Sequence, residues 1–214
     1  MKYGESAFDI LYLLFAIVSG LLILKKRRDL IGRLMGSAVL ILGIGDAFHL
    51  VPRVINYFGS GDYTAWLGFG KLVTSVTMTV FYLLMYRLWL EAYGEPENRK
   101  LTLAVWGLTA ARVLLCLLPQ NRWLQNDGSV LWGVIRNLPF VALGCLDVAL
   151  YYRKRAEIPC FRPVWLLITL SFLFYIPVAV AAPLVPMLGM LMLPKTVCYM
   201  LLIGCFLKYA FSEK

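Results

Sequence analysis

The chain has 214 residues, 61% of them hydrophobic and 14% aromatic, with 21 Lys and Arg against 12 Asp and Glu for a formal net charge of +9. That composition, with its positive mean hydropathy, leaves too little polar surface to cover a water-soluble globule and points to an integral membrane protein. The basic residues cluster beside apolar segments, where they act as a topology signal, so the positive charge implies no nucleic-acid partner.

A bilayer core about 30 Å thick takes about 20 apolar residues per helix. In chain order the segments that qualify are 8–24, 30–52, 65–91, 101–118, 129–152, 163–182 and 187–210. The first is followed by Lys25, Lys26, Arg27 and Arg28 instead of being preceded by them, with no small-residue cleavage site, so it reads as a retained helix and not a signal peptide. The second carries Gly36, Gly43 and Gly45, the small residues of close helix packing, and is expected to end at Pro52. The fourth, 101–118, is short. In the seventh, Pro194 precedes Lys195 and is expected to free a carbonyl one turn earlier and kink the helix. Together the spans use nearly all of residues 1–214, so the expected fold is all-α: one polytopic domain, a bundle of seven transmembrane helices.

Lys and Arg near helix ends stay cytoplasmic. The first, third and fifth loops carry them: Lys25 to Arg28, then Arg87, Arg99 and Lys100, then Arg153, Lys154, Arg155 and Arg162. The expectation is therefore an N-terminus outside, with Glu5 and Asp9 in that outer segment, and a cytoplasmic C-terminus from Lys208 to Lys214. The location follows as a cell membrane, a bacterial inner membrane or a plasma membrane.

Five cysteines, Cys116, Cys145, Cys160, Cys198 and Cys205, form no ligand-spaced cluster, and His49 is the lone histidine, so neither a disulfide nor a metal site is expected. A lysine on the seventh helix raises the question of a retinal Schiff base. The third helix offers Lys71, Ser75 and threonines where a carboxylate counter-ion would be needed, so no cofactor is expected.

Residues that are costly in a membrane recur at one level. Asp46 lies about six residues below the outer end of its span, Lys71, Arg112 and Arg136 about as far, Lys195 about eight, and Tyr175 about seven, which places each on the order of 10 Å below the outer boundary. Helical phase agrees: Asp46, His49 and Arg53 share one face at i, i+3 and i+7. So do Lys71, Ser75, Met78 and Tyr82 on the third helix, Arg136, Phe140, Leu143 and Asp147 on the fifth, and Lys195 and Tyr199 on the seventh. Polar stripes in membrane helices face the bundle interior, so these residues are expected to line one outward-facing cavity. Arg53, Lys71, Arg112, Arg136 and Lys195 against Asp46 alone leave an excess of four positive charges, and burying it without a counter-ion would cost several kcal/mol per charge.

The expected function is thus a receptor or carrier that binds an anionic small molecule, membrane lipid or other anionic amphiphile through Arg53, Lys71, Arg112, Arg136, Tyr175, Lys195 and Tyr199. Plainer roles stand beside it: Lys71 and Arg136 snorkelling to headgroups, Arg112 pairing with Asp46, or a bundle that is only a scaffold.

Gly45-Asp46-Ala47 through Leu50-Val51-Pro52-Arg53 resembles the Gly-Asp motif of the lysoplasmalogenase-like family of small polytopic membrane proteins. Leu146-Asp147, ahead of Tyr151-Tyr152-Arg153-Lys154-Arg155, is similar to that family's second intramembrane aspartate. The resemblance covers two short patches and implies an intramembrane hydrolase of the lysolipid vinyl-ether bond, with Asp46 and Asp147 as acid and base. Under the same enzyme reading His49 can instead serve as the partner of Asp46. By helical rise the two aspartates differ in depth by about 15 Å, which leaves pairing of Asp147 with a cytoplasmic arginine as the other reading.

Overall fold

A computed structural model describes residues 2–181 and 185–212. Residue 182, the last of the expected sixth span, and Lys214 lie outside the described residues. The described residues contain helices and no strand, and seven helices among them are long and apolar enough to cross a membrane.

Helix α1 (Lys2–Lys26) starts six residues before the expected span, with Glu5 in its first turn, where a carboxylate suits the exposed amide dipoles. Helix α2 (Leu30–Phe58) starts at Asp29, whose side chain accepts the Gly32 N–H at 2.9 Å. It continues through Pro52 for six more residues, so the proline does not end it. Helix α3 (Thr64–Tyr93) stops at Gly94, in the left-handed conformation (φ 62°) that glycine adopts without strain. Asn98 caps α4 (Arg99–Leu117), and Ser129 caps α5 (Val130–Arg153). Helix α6 (Val164–Ala181) and α7 (Met192–Phe211) follow, the latter preceded by a 3₁₀ segment, Pro186–Leu191. Pro194 is the third residue of α7, in the first turn, where an N–H has no acceptor within the helix, so the proline costs α7 no ladder bond of its own there.

Successive helices pack side by side, and α1 closes against α7, making a ring with α3 also touching α5 across it. The tightest seam is α2–α3. A Cβ on Gly70 would lie 2.1 Å from the Phe48 carbonyl oxygen, so only glycine lets α3 ride against the α2 backbone there. Thr74 adds an Oγ1–H bond to the Gly45 carbonyl at 3.0 Å. On the other side, Gly36 of α2 meets Leu24 and Gly20 of α1.

The connections 27–29, 94–98 and 154–163 share one end of the ring, the basic end, and 59–63, 118–129 and 185–191 share the other. An aromatic layer spans the interior. Tyr82 of α3 meets Phe140 of α5 at 5.3 Å and Phe172 of α6 at 5.3 Å, while Phe81 meets Tyr199 of α7 at 5.8 Å, mostly edge to face. A second cluster, Tyr93, Tyr151, Phe161 and Tyr209, fills the basic end.

Candidate functional site

Exposure along the inward stripes shows where the bundle opens. On α3, Lys71 is exposed, Ser75 half-buried, Met78 buried and Tyr82 fully buried. On α5 the sequence runs from half-buried Arg136 to Phe140 (4% exposed) and Leu143 (0%), and on α2 from half-buried Arg53, His49 and Asp46 to Leu42 (1%). Tyr175 is half-buried above buried Phe172 and Ser171 on α6. These stripes grow more exposed away from the basic end, above the aromatic layer; the interior region between them is termed the vestibule below, with Tyr82, Tyr199, Phe140 and Phe172 beneath it as its floor. Hydrogen bonds tie that floor together: Tyr82 Oη lies 3.0 Å from Tyr199 Oη and 3.4 Å from Ser171 Oγ.

On the α1–α2–α7 side the charges compensate. Tyr12 donates to Asp46 Oδ2 at 2.6 Å. Asp9, one turn earlier on α1, faces the same carboxylate and keeps its own Oδ2 without a hydrogen bond. Lys195 is electrostatically coupled to Asp46, and its ammonium sits 5.0 Å above the Tyr175 ring and 5.4 Å above that of Tyr199. At the rim Arg53 forms an ion pair with Glu5, and Tyr57 bridges them, accepting from Arg53 Nε at 3.1 Å and donating to Glu5 Oε2 at 2.9 Å. His49 lies in the field of Lys71 and Lys195 with its Nδ1 unpartnered, and the hydrogen bond on Asp46 comes from Tyr12 and not from His49.

The α3–α4–α5 side differs. Arg112 is 1% exposed, donates to the Arg136 carbonyl oxygen, stands 5.2 Å above the Phe140 ring, and leaves its Nε unpartnered. Arg136 donates to Asn121 Oδ1 at 2.8 Å and stacks 4.3 Å over the Trp123 ring, also with a free Nε. Lys71 donates to Asn126 Oδ1 at 2.7 Å. Every one of these acceptors is neutral, and no carboxylate lies within 4.0 Å of the three cations among the described residues. Pairing of Arg112 with Asp46, one reading of the sequence, does not occur: α4 packs mainly on α3 and α5, Arg112 donates to the Arg136 carbonyl, and Asp46 accepts from Tyr12.

The 118–129 connection holds this side in place. Asn121 Nδ2 donates to the Leu115 and Leu118 carbonyls at 2.7 and 2.9 Å, and Trp123 Nε1 to the Cys116 carbonyl at 2.7 Å. The Trp123 carbonyl itself presses on Gly68 of α3, where a Cβ would lie 1.5 Å from the oxygen. At the loop 59–63, Thr64 donates to Asp62 at 2.9 Å and so holds that carboxyl below its ordinary value. At the basic end, Glu157 and Glu95 hold the Lys154 ammonium above the usual lysine range, at 2.8 and 2.6 Å.

Asp147 stands apart. It is 0% exposed, below the aromatic floor, with both oxygens unpartnered and with Tyr82 and Tyr151 as its electrostatic neighbours. It lies six residues from the end of α5 and Asp46 sixteen from the start of α2, about 9 and 24 Å from the basic end by helical rise. The vestibule therefore contains Asp46 and not Asp147, and no arginine pairs with Asp147 among the described residues.

Sequence reasoning used Glu5 and Asp9 only as outer-segment charges and did not single out Tyr12, although the three share one face of α1 at i, i+4 and i+7; starting the first span at residue 8 left Glu5 outside the helix and broke that pattern. It also missed Asn121, Asn126, Asn137 and Trp123, which carry no periodic signal. With Glu5 and Asp9 counted, five cations face three acids, and the excess is two instead of four. The five cysteines are free, and no group of three or more His, Cys, Asp or Glu among the described residues comes together to hold a metal. Comparisons with protein-family models, curated proteins and solved structures return no match.

Proposed function

We propose that this multi-pass membrane protein binds an anionic amphiphile or small anion in the vestibule, as a receptor or carrier. The observation that carries the reading is the trio Lys71, Arg112 and Arg136, three neighbouring cations whose hydrogen bonds go only to neutral acceptors. A phosphate or carboxylate would supply the missing charge, with the Arg136 guanidinium as a fork and Lys71 as a point charge. Compensation of Arg53 by Glu5 and of Lys195 by Asp46 moves the anion site toward α3 and α5 and leaves Tyr175 and Tyr199 as neutral wall. By the distribution of Lys and Arg in the loops, the vestibule opens to the non-cytoplasmic side of a plasma or bacterial inner membrane, with the N-terminal end outside.

The test is native mass spectrometry of detergent-purified protein offered phosphatidylglycerol and phosphatidylcholine of identical chains. Each cation near an anionic lipid is worth about fivefold, so Lys71→Gln with Arg136→Gln should cut the preference for phosphatidylglycerol by about 25-fold. An unchanged preference refutes the site.

A second reading, a lysolipid hydrolase, draws on Asp46, half-buried at the vestibule wall and oriented by Tyr12. It predicts turnover of an ether- or ester-linked lysolipid that is lost in Asp46→Asn, and it falls if a panel of such lipids is left intact.

A further inference from the structure

A groove of about 440 Å³ runs down the outer wall between α5 and α6, lined by Val141, Cys145 and Ala149 on one side and Thr169, Leu173 and Ile176 on the other. It is apolar throughout and spans about 16 Å from Val141 to Tyr152 by helical rise. Tyr152 and Trp165, edge to face at 5.0 Å, close its basic end.

One ring borders both this groove and the floor of the vestibule. Phe172 lines the groove and also packs on Tyr82 and on Phe140, at 5.3 and 5.1 Å, in the vestibule floor. Gly144 makes that position possible, since a Cβ there would lie 2.1 Å from the Phe172 ring. Above the floor the α5–α6 seam is strapped by one side-chain hydrogen bond, from Tyr175 to Asn137 Oδ1 at 2.7 Å. Pro139 and Pro177 flank the strap on the two helices. Each lacks an N–H, so each helix is missing a ladder bond at this level and bends there at lower cost. Arg136 directly precedes Asn137, which puts an unneutralised guanidinium beside the top of the seam.

We propose that the α5–α6 seam is a lateral port through which the vestibule takes an anionic lipid from the bilayer, its headgroup at Arg136 and Lys71 and one acyl chain in the groove. This rests on the vestibule as the anion site and adds the source of the ligand. Hydrocarbon fills such a groove in any bilayer with little gain in free energy, because lipid tails are as apolar as the wall. A chain tethered to a bound headgroup differs, since the first contact confines the second and raises its effective concentration. A water-soluble anion, arriving through the open end, would make no use of the groove or the strap.

The experiment uses the full chain in detergent with three probes: phosphatidylglycerol, phosphatidylcholine of the same chains, and glycerol 3-phosphate. Thr169→Trp and the milder Ala149→Leu fill the groove at exposed positions, and thermal unfolding verifies that each variant is folded. The port predicts a loss of phosphatidylglycerol retention of about tenfold in Thr169→Trp, a smaller loss in Ala149→Leu, and unchanged stabilisation by glycerol 3-phosphate. If the wild-type chain neither prefers phosphatidylglycerol over phosphatidylcholine nor is stabilised by glycerol 3-phosphate, the vestibule reading itself fails and the port with it; stabilisation by glycerol 3-phosphate without that lipid preference overturns the port alone. If that preference exists and survives both groove-filling variants, or if glycerol 3-phosphate stabilisation falls in step with lipid retention, the port alone is overturned.

Discussion

Replacing Tyr12 by Phe removes one oxygen from the wall of the vestibule and little else. The ring is 1% exposed and stays in place, so no cavity opens, and the lost interaction is the 2.6 Å hydrogen bond to Asp46 Oδ2. Hydrogen bonds to a charged acceptor contribute about 1.5–3 kcal/mol in soluble proteins, while side-chain hydrogen bonds inside membrane bundles average about 0.6 and reach about 1.7. A short bond to a carboxylate belongs near the top of the second range, about 1.5 kcal/mol. For a chain of this size that corresponds to a fall of about 3–6 °C in Tm. The control is the same substitution in an Asp46→Asn background, where the acceptor is neutral and the cost should drop to about 0.6 kcal/mol, leaving a coupling of about 1 kcal/mol. Thermal unfolding followed by circular dichroism in detergent measures all four proteins. Equal losses in both backgrounds would show that Tyr12 stabilises the bundle without holding a charged Asp46, and no loss in either would refute the contact.

Gly70→Ala should lower stability by about 1–3 kcal/mol, since the new Cβ meets α2 backbone that cannot move aside without parting the α2–α3 seam; Gly107→Ala, with nothing within 4 Å, should leave Tm unchanged or slightly raised, and similar shifts in the two would refute the packing argument. At Asp62 the folded carboxyl titrates below its unfolded value of 3.8, so its support of the α3 N-terminus is present above that value and is lost as pH falls through the lower folded one. Amide exchange at Thr64, after correction for intrinsic rate, should therefore show no loss of protection down to about pH 4 and a loss below it. A loss near neutral pH, or one that persists in Asp62→Asn, contradicts this.

The helices were legible because hydropathy and length carry them, and the ends were not, because ends depend on partners elsewhere in the chain. Nothing local says that α1 begins at Lys2 and α2 runs on to Phe58; those extensions pair with each other through Glu5, Arg53 and Tyr57, more than fifty residues apart in part. Period and depth placed Asp46, His49, Lys71, Arg136 and Lys195 along the vestibule, since a 3.6-residue repeat fixes a face whatever the neighbours are. Which cation meets which acid depends on adjacency around the ring, a two-dimensional fact that one-dimensional spacing does not hold. For Asp147 the helical rise already set a depth about 15 Å from Asp46; what spacing could not show is the layer of Tyr82, Phe140 and Phe172 packed between the two levels.

Adjacency also changes what the charge excess means. Spread evenly, two net charges over a vestibule mouth would be an ordinary rim effect, screened by water and lipid headgroups. They are not spread evenly. The α1–α2–α7 wall has Arg53 and Lys195 against Glu5, Asp9 and Asp46, a balance of minus one, and the α3–α4–α5 wall has Lys71, Arg112 and Arg136 against none, a balance of plus three. Under the proposed reading, a dipole of that kind would orient an anion toward α5 and away from Asp46. Arg112 is the informative member, because at 1% exposure it cannot snorkel, and a carbonyl and a ring face offset only part of the several kcal/mol that burying a guanidinium costs. Leu or Met at position 112 would serve a closed bundle better. Under the proposed reading an anion near Arg136 would supply the charge that Arg112 lacks, which makes buried Arg112 a more informative residue for that reading than the exposed Lys71.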